Sequence, residues 1–249
     1  NTSSVRNIIY GASPASEPLL DRTMQNFPTA ALSQVYGMTE MSAVMTVLPP
    51  AMHTPNAREL GRLRSGGRSA HHVQVRIVDE HDKELSLGDV GEIIARGPNL
   101  MQGYLNQPDT TAETLRNGWM HTGDMGYMDS NGYVFIVDRS KDMIISGGEN
   151  VYSVEVENAI LKHPAIASAA VIGVPCEEMG EKVHAALVLK ADAAVSQEEL
   201  YAHCKTLIAG YKCPRSISLL DALPISGAGK VLKTEIRKPF WAGLGRNIS

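Results

Sequence analysis

Cysteine is scarce, and the few that exist make no pattern. Cys176, Cys204 and Cys213 are an odd count in 249 residues, with no C-x-x-C pair and no histidine at metal-ligand spacing. That argues against a disulfide framework or a zinc site and for reduced structural thiols in a cytoplasmic protein. Long hydrophobic runs are also missing. The longest nearly apolar stretch, residues 166–175, is about half of what a membrane-spanning helix needs, so no transmembrane segment is expected. Asn1-Thr2-Ser3-Ser4-Val5-Arg6 has no basic segment leading into an apolar core and is not a signal peptide. With no starting Met and a strand-like run directly behind these residues, the sequence reads as a piece of a longer chain. Internal repeats and low-complexity segments are absent. What remains is ordinary: 43% apolar, 20% charged, 22 Gly and 13 Pro. Such values exclude disorder, collagen-like repeats and a coiled coil, and the length suits one large or two modest domains.

The net charge of -4 conceals an asymmetry. Residues 1–200 carry 15 basic against 25 acidic residues, whereas residues 201–249 carry 8 against 2. A basic carboxyl-terminal stretch suits a polyanion, a nucleotide or a solvated face, and charge alone does not choose among them.

Val5-Arg6-Asn7-Ile8-Ile9-Tyr10 reads as a buried strand stopped by Gly11. A helix over residues 17–27 follows, with Ser16 as N-cap and Leu19, Leu20, Thr23, Met24 and Phe27 on its inner face. A second strand over residues 31–35 leads into Tyr36-Gly37-Met38-Thr39-Glu40. Strand, helix and strand with glycine loops at the strand ends predict an α/β sheet with ligands beyond its carboxyl edge. From residue 60 to 139 the texture changes to short strands, including an alternating run over residues 73–78 and a hairpin at Asn131-Gly132, which predicts a small β-barrel or distorted sheet. Beyond that the pattern is α+β. Ser153 is expected to cap a helix ending before Pro164, strands are expected over residues 169–174 and 183–189, and Ser196-x-x-Glu199 opens a helix with Leu200, Cys204, Leu207 and Ile208 inside and Gly210 past its end. The domain boundary is placed at residues 139–142, giving domains of residues 1–139 and 140–249.

Several segments could carry chemistry. Residues 36–40 offer an aromatic face, a hydroxyl and a carboxylate, a set able to stack a purine, bond a phosphate and hold Mg²⁺. Trp119-Met120-His121-Thr122-Gly123-Asp124 places an acid after a glycine turn, where it could accept bonds from two ribose hydroxyls. Asp138-Arg139-Ser140-Lys141-Asp142 gathers five polar residues after an apolar strand, and Ser146-Gly147-Gly148-Glu149-Asn150 permits close backbone approach by a ligand. Pro224-Ile225-Ser226-Gly227-Ala228-Gly229-Lys230 presents one lysine on a glycine loop, suited to a charge-bearing transition state. Taken singly, each is also an ordinary turn or a solvated loop.

Their order changes this. Those blocks, together with Gly91-Glu92-Ile93, Gly97 and Gly103-Tyr104, resemble the adenylate-forming (AMP-binding) superfamily of acyl- and aryl-CoA synthetases, luciferase and peptide-synthetase adenylation domains. The resemblance spans essentially the whole chain and implies the carboxyl-terminal half of such an enzyme. The implied architecture is the end of a large α/β domain with a small β-barrel subdomain, followed by a small mobile α+β domain. Gly11-Ala12-Ser13-Pro14 and Tyr36, with Gly37 and Met38, resemble the adenine loop and its stacking wall. Thr39 resembles the phosphate-bonding residue, Glu40 the Mg²⁺ ligand, and Asp124 the carboxylate that grips the ribose, with Arg139 and Ile136 nearby. Lys141 falls at the family's hinge position. Lys230 resembles the lysine that bridges the carboxylate and the α-phosphate. Gly147, Gly148 and Glu149 match the lining of the pantetheine tunnel, and Lys212 and Arg215 are candidate contacts for CoA phosphates.

The implied cofactors and partners are ATP, Mg²⁺, CoA and a small carboxylic acid. No nucleic acid is implied, and association of identical chains is compatible with the pattern. The family's phosphate loop has no counterpart here; Arg64-Ser65-Gly66-Gly67-Arg68-Ser69 is glycine-rich but out of order, so the piece alone is expected to be inactive. The apolar Ala43-Val44-Met45-Thr46-Val47 favours a fatty acid. An aromatic acid such as a hydroxycinnamate, a peptide-synthetase-type adenylation module and a non-catalytic fragment remain as alternatives.

Overall fold

The computed structural model describes residues 2–242 apart from residues 13, 14, 16 and 228. The chain forms two units, residues 1–136 and 137–249. In the first, β1 (Asn7–Gly11) runs through α1 (Glu17–Asn26) to β2 (Ala31–Tyr36), and the two strands pair in parallel with Gly11 opposite Val35. A parallel pair needs a crossover, and the amphipathic segment after Gly11 supplies it. The inner face of α1 is narrower than the sequence suggests. Leu20 is buried with Leu32 and Leu63, whereas Leu19 is exposed and the Thr23 hydroxyl donates to Leu19 O. The expected cap, Ser16, lies outside the described residues. Two antiparallel strands, β3 (Thr46–Leu48) and β4 (Arg68–Ser69), complete the order β1-β2-β3-β4.

Between β3 and β4 lies the short α2 (Pro55–Glu59), whose Thr54 hydroxyl accepts from Ala57 N–H. The β-rich subdomain contains β5 (Gln74–Val78), β6 (Gly91–Arg96), α3 (Pro108–Thr114), β7 (Leu115–Arg116), β8 (Trp119–Met128) and the start of β9 (Val134–Arg139), whose residues from Val137 onward belong to the second unit. Its order is β5-β6-β8-β7, with β9 paired to β8. In β5 the period of two holds from Gln74 to Ile77, with Val75 and Ile77 buried and Gln74 and Arg76 exposed, and breaks at Val78, which is buried as well. The Asn131-Gly132 hairpin is built on Asp129, whose Oδ1 accepts from the N–H groups of Asn131 and Tyr133. The glycines of residues 64–69 are structural: Gly66 N–H donates to Val134 O, and Val134 N–H donates to Gly67 O.

The second unit comprises β10 (Ile144–Ser146), β11 (Glu149–Val151), α4 (Ser153–Ile160), β12 (Ile166–Cys176), β13 (Gly180–Leu189), α5 (Gln197–Lys205), β14 (Ser216–Leu219) and α6 (Lys233–Trp241). Its sheet has the order β11-β10-β13-β12, with β14 parallel to β13. Both faces are covered, so β12 and β13 read as near-continuous apolar runs. Val171, Ala185 and Leu187 pack with α4 and α5, while Ala170, Ile172 and Ala186 pack with Ile236 of α6. All three cysteines are free, and burial pushes the Cys204 thiol up to about 11, which keeps it inert.

Two helix-end expectations are corrected. Ser153 does not cap α4; Tyr152 stands at that position, and the Ser153 hydroxyl and N–H both donate to Asp138. A carboxylate on β9 therefore does the capping, which no local pattern announces. At α5, Ser196 accepts from Glu199 N–H as expected, but the helix stops at Lys205, Leu207 is exposed, and Gly210 opens a separate turn. Among the described residues no helix is long and apolar enough to cross a membrane.

Candidate active site

The parallel pairing of β1 and β2 sets their carboxyl ends side by side, Gly11-Ala12 on one and Tyr36-Gly37 on the other. Ser13 and Pro14 lie outside the described residues. Gly37 is there of necessity, because a β-carbon at this position would stand 2.3 Å from Ala43 O. That close crossing folds the chain back, with Met45 N–H donating to Tyr36 O, and puts Thr39 and Glu40 into a short 3-10 turn. Thr39 is exposed and Glu40 half-buried.

Tyr36 and Asp124, 88 positions apart, meet directly: the Tyr36 hydroxyl donates to Asp124 Oδ2 at 2.7 Å. Ile136 lies beside Tyr36. A β-carbon built on Gly66 would touch Ile136 Cδ1 at 2.7 Å and Tyr36 Cβ at 3.2 Å. Glu40 has a partner too, since the Tyr104 hydroxyl donates to its Oε1 at 2.7 Å, and this bond, with burial, raises the Tyr104 pKa. Residues 97–104 wrap over the 37–45 crossing. Asn99 Nδ2 donates to Met41 O and Val44 O, and Met101 N–H donates to Glu40 O. The result is an aromatic ring, two carboxylates and an exposed hydroxyl at the carboxyl edge of a parallel strand pair, where α/β proteins bind nucleotides.

Two family models match the chain: AMP-binding enzyme over residues 1–105 and AMP-binding enzyme C-terminal domain over residues 155–230. The chain belongs to the adenylate-forming superfamily. It is 39% identical over 246 residues to a fatty acid–[acyl-carrier-protein] ligase of Streptomyces coeruleorubidus, covering 99% of this chain and 47% of that protein. It is 42% identical to a feruloyl-CoA synthase of an Amycolatopsis species, covering 96% of this chain and 47% of that protein. Among solved structures it resembles the o-succinylbenzoate-CoA synthetase of Bacillus subtilis in complex with its acyl-adenylate, with a TM-score of 0.82, 36% identity, and 94% and 46% of the two chains covered. The same synthetase has also been solved with ATP and magnesium, with a TM-score of 0.81 and 36% identity, 93% of this chain and 46% of that one being covered. The chain thus spans about half the length of the curated relatives it matches.

The remaining residues expected from the superfamily pattern sit in the second unit. Arg139 ends β9, its N–H donating to Asp138 Oδ1, and Lys141 is exposed in the following turn. Gly147 and Gly148, with φ of +62° and +85°, form the two-residue turn between β10 and β11, and Glu149 is exposed just beyond. Lys212 is engaged within the fold, donating to both Glu155 oxygens at 2.7 and 2.9 Å, whereas the Arg215 side chain is exposed. Lys230 stands exposed on a turn in which its N–H donates to Ser226 Oγ and its carbonyl accepts from Ser226 N–H.

Sequence reasoning missed a buried polar network in this unit. Lys233 Nζ donates to Ser153 Oγ at 2.5 Å and lies 2.7 Å from Glu157 Oε1, while Arg237 Nη2 reaches Asp142 Oδ1 at 3.0 Å. Burial raises the pKa values of Asp138 and Glu157, with Lys233 opposing the rise. The legible signal was spacing: Lys233 and Arg237 stand four apart on one helix, as do Asp138 and Asp142 along the chain.

Proposed function

We propose that the protein carrying this chain is an ATP-dependent acid–thiol ligase. A carboxylate attacks the α-phosphorus of ATP to give an acyl-adenylate and pyrophosphate; a thiol then attacks the acyl carbon and releases AMP. The observation that carries this is the Tyr36–Asp124 pair at the carboxyl edge of β1 and β2. It sets a stacking surface beside a carboxylate fit to accept from ribose hydroxyls. Gly11-Ala12 and Ile136 complete the adenine side, and the Thr39 hydroxyl suits a phosphate oxygen.

A single carboxylate, that of Glu40, is a fitting protein ligand for Mg²⁺, which commonly takes one or two carboxylates and completes its shell with phosphate and water. Mg²⁺ would neutralise phosphate charge there. Lys230 is assigned the cation between carboxylate and α-phosphate, and Arg139 a supporting nucleotide contact. Gly147, Gly148, Glu149 and Arg215 are assigned to the pantetheine arm and phosphates of CoA; Lys212 serves there only by leaving Glu155. Lys141 is the proposed hinge between the two half-reactions.

The favoured acid is a fatty acid, supported by the fatty acid ligase relative. An aromatic acid is the second candidate, favoured by the feruloyl-CoA synthase at 42% identity. A carrier-protein thiol in place of CoA is a second reading of the acceptor, favoured by the acyl-carrier-protein ligase relative. Lys230→Ala in the complete protein tests the central role. Loss of one preorganised cation should slow adenylation by about 10²–10³-fold or more, while thioester formation from preformed acyl-adenylate survives. Equal loss in both half-reactions would refute the assignment.

A further inference from the structure

The pairing of β6 with β8 slips where the candidate ribose carboxylate emerges. Glu92 stands opposite Met125 and Ile94 opposite His121, so Ile93 alone faces Thr122, Gly123 and Asp124. A bulge of this kind strands backbone groups that the ladder would otherwise satisfy, and it re-aims the side chain at its crest. The stranded groups are recovered one by one. The Thr122 hydroxyl donates to Ile93 O at 2.6 Å, and Asp124 N–H donates to Thr122 Oγ1 at 3.0 Å. Gly123, at φ +68°, has its N–H donating to Glu92 Oε1 at 3.0 Å. The other Glu92 oxygen faces a basic pair: Arg116 Nη2 lies 3.7 Å from Oε2, and His121 Nδ1, on a buried ring, lies 2.8 Å from Oε2 and 2.5 Å from Arg116 Nη2, so that nitrogen either donates to Glu92 or accepts from Arg116. Asp124 is thus fixed from two directions, its carboxylate by Tyr36 and its backbone by Glu92 acting through Gly123.

We propose that Glu92 is a positioning residue for nucleotide binding: bonded to Gly123 N–H through one oxygen and facing Arg116 and His121 with the other, it holds the Thr122–Asp124 bulge in the shape that presents the Asp124 carboxylate to the ribose hydroxyls. The inference rests on the reading of Asp124 as the ribose ligand. It differs from a merely structural role because it ties Glu92 to one part of the nucleotide that Glu92 itself does not touch. Its substitution should weaken recognition of the ribose hydroxyls and leave the adenine and phosphate contributions in place.

The test is equilibrium binding of ATP and of 2′,3′-dideoxy-ATP to the complete protein, wild type, Glu92→Ala and Glu92→Gln. Hydrogen bonds to a charged group imply that wild type prefers ATP by about tenfold or more. In Glu92→Ala the preference should shrink to within about threefold, with dideoxy-ATP bound as tightly as by wild type. Glu92→Gln keeps an acceptor for Gly123 N–H and should recover most of the preference. A faster hydrogen exchange of the Gly123 amide in Glu92→Ala should accompany the loss. If Glu92→Ala keeps the wild-type preference, the inference is overturned and the Asp124 reading stands. If it loses both nucleotides equally, the site has collapsed as a whole and the inference is overturned likewise. If wild type itself shows no preference, Asp124 is not the ribose ligand and both fall together.

Discussion

His184 on β13 sits between two hydroxyls, its Nδ1 2.8 Å from Ser216 Oγ and its Nε2 3.1 Å from Ser218 Oγ, with the Phe240 ring 4.6 Å away. Burial, with help from nearby Lys182, pushes its pKa from 6.5 down to about 4. The folded chain therefore refuses a proton that the unfolded chain accepts. The resulting stability is whole above pH 6.5 and is lost as pH falls toward 4. A shift of this size is worth about 3 kcal/mol at most. Urea unfolding measured across this range should show wild type losing stability faster than His184→Gln on acidification; parallel profiles would show that His184 is not held neutral. At this scale the sequence was legible where a residue's chemistry is local, as at Asp129 in its hairpin or Gly147-Gly148 in their turn. It was opaque where the partner is distant. Nothing in Tyr36 announces Asp124, nothing in Glu40 announces Tyr104, and Lys212 reads as a solvated cation until Glu155 appears beside it.

Among the elements, β1, β2, β5, β9, β12, β13, α1, α4 and α5 follow from periodicity, because covered sheet faces and amphipathic helices leave their pattern in the chain, whereas the short strands and α2, α3 and α6 do not. The ends of elements were harder. The α4 cap is a carboxylate 15 residues upstream, and the stop of α5 comes at Thr206, where no glycine stands. The segment that carries the proposed hinge shows why such ends matter. Asp138 is tied to Ser153 and, through its hydroxyl, to Lys233, while Asp142 is tied to Arg237, so both flanks of Lys141 are anchored within the second unit, and a pivot at Lys141 requires the Asp138–Ser153 bonds to open. Both anchoring cations lie on α6, which begins three residues after Lys230. Between the anchors Lys141 is exposed, and proline there would stiffen the turn by fixing φ near -65°. Lys141→Pro in the complete protein should keep pyrophosphate exchange and lose thioester formation by a large factor. Equal effects on the two half-reactions, or no effect on either, would remove Lys141 from the hinge role.

For the whole molecule, membership of the adenylate-forming superfamily was legible from the order of six short blocks, none of which is decisive alone. Substrate identity was not. The apolar residues 43–47 point to a fatty acid in the sequence, yet Met45 and Thr46 are buried and Met45 belongs to a core cluster, so part of that stretch serves packing. The basic carboxyl-terminal stretch is likewise partly consumed within the fold, since Lys212, Lys233 and Arg237 all pair with carboxylates there. Acid-dependent exchange of pyrophosphate into ATP by the complete protein, measured over a panel of fatty and hydroxycinnamic acids, tests the proposed chemistry most directly. Exchange well above the acid-free background with at least one class of acid, abolished by Lys230→Ala, is the expected result. A protein that binds ATP with a preference for intact ribose, yet exchanges no pyrophosphate with any acid, would contradict it.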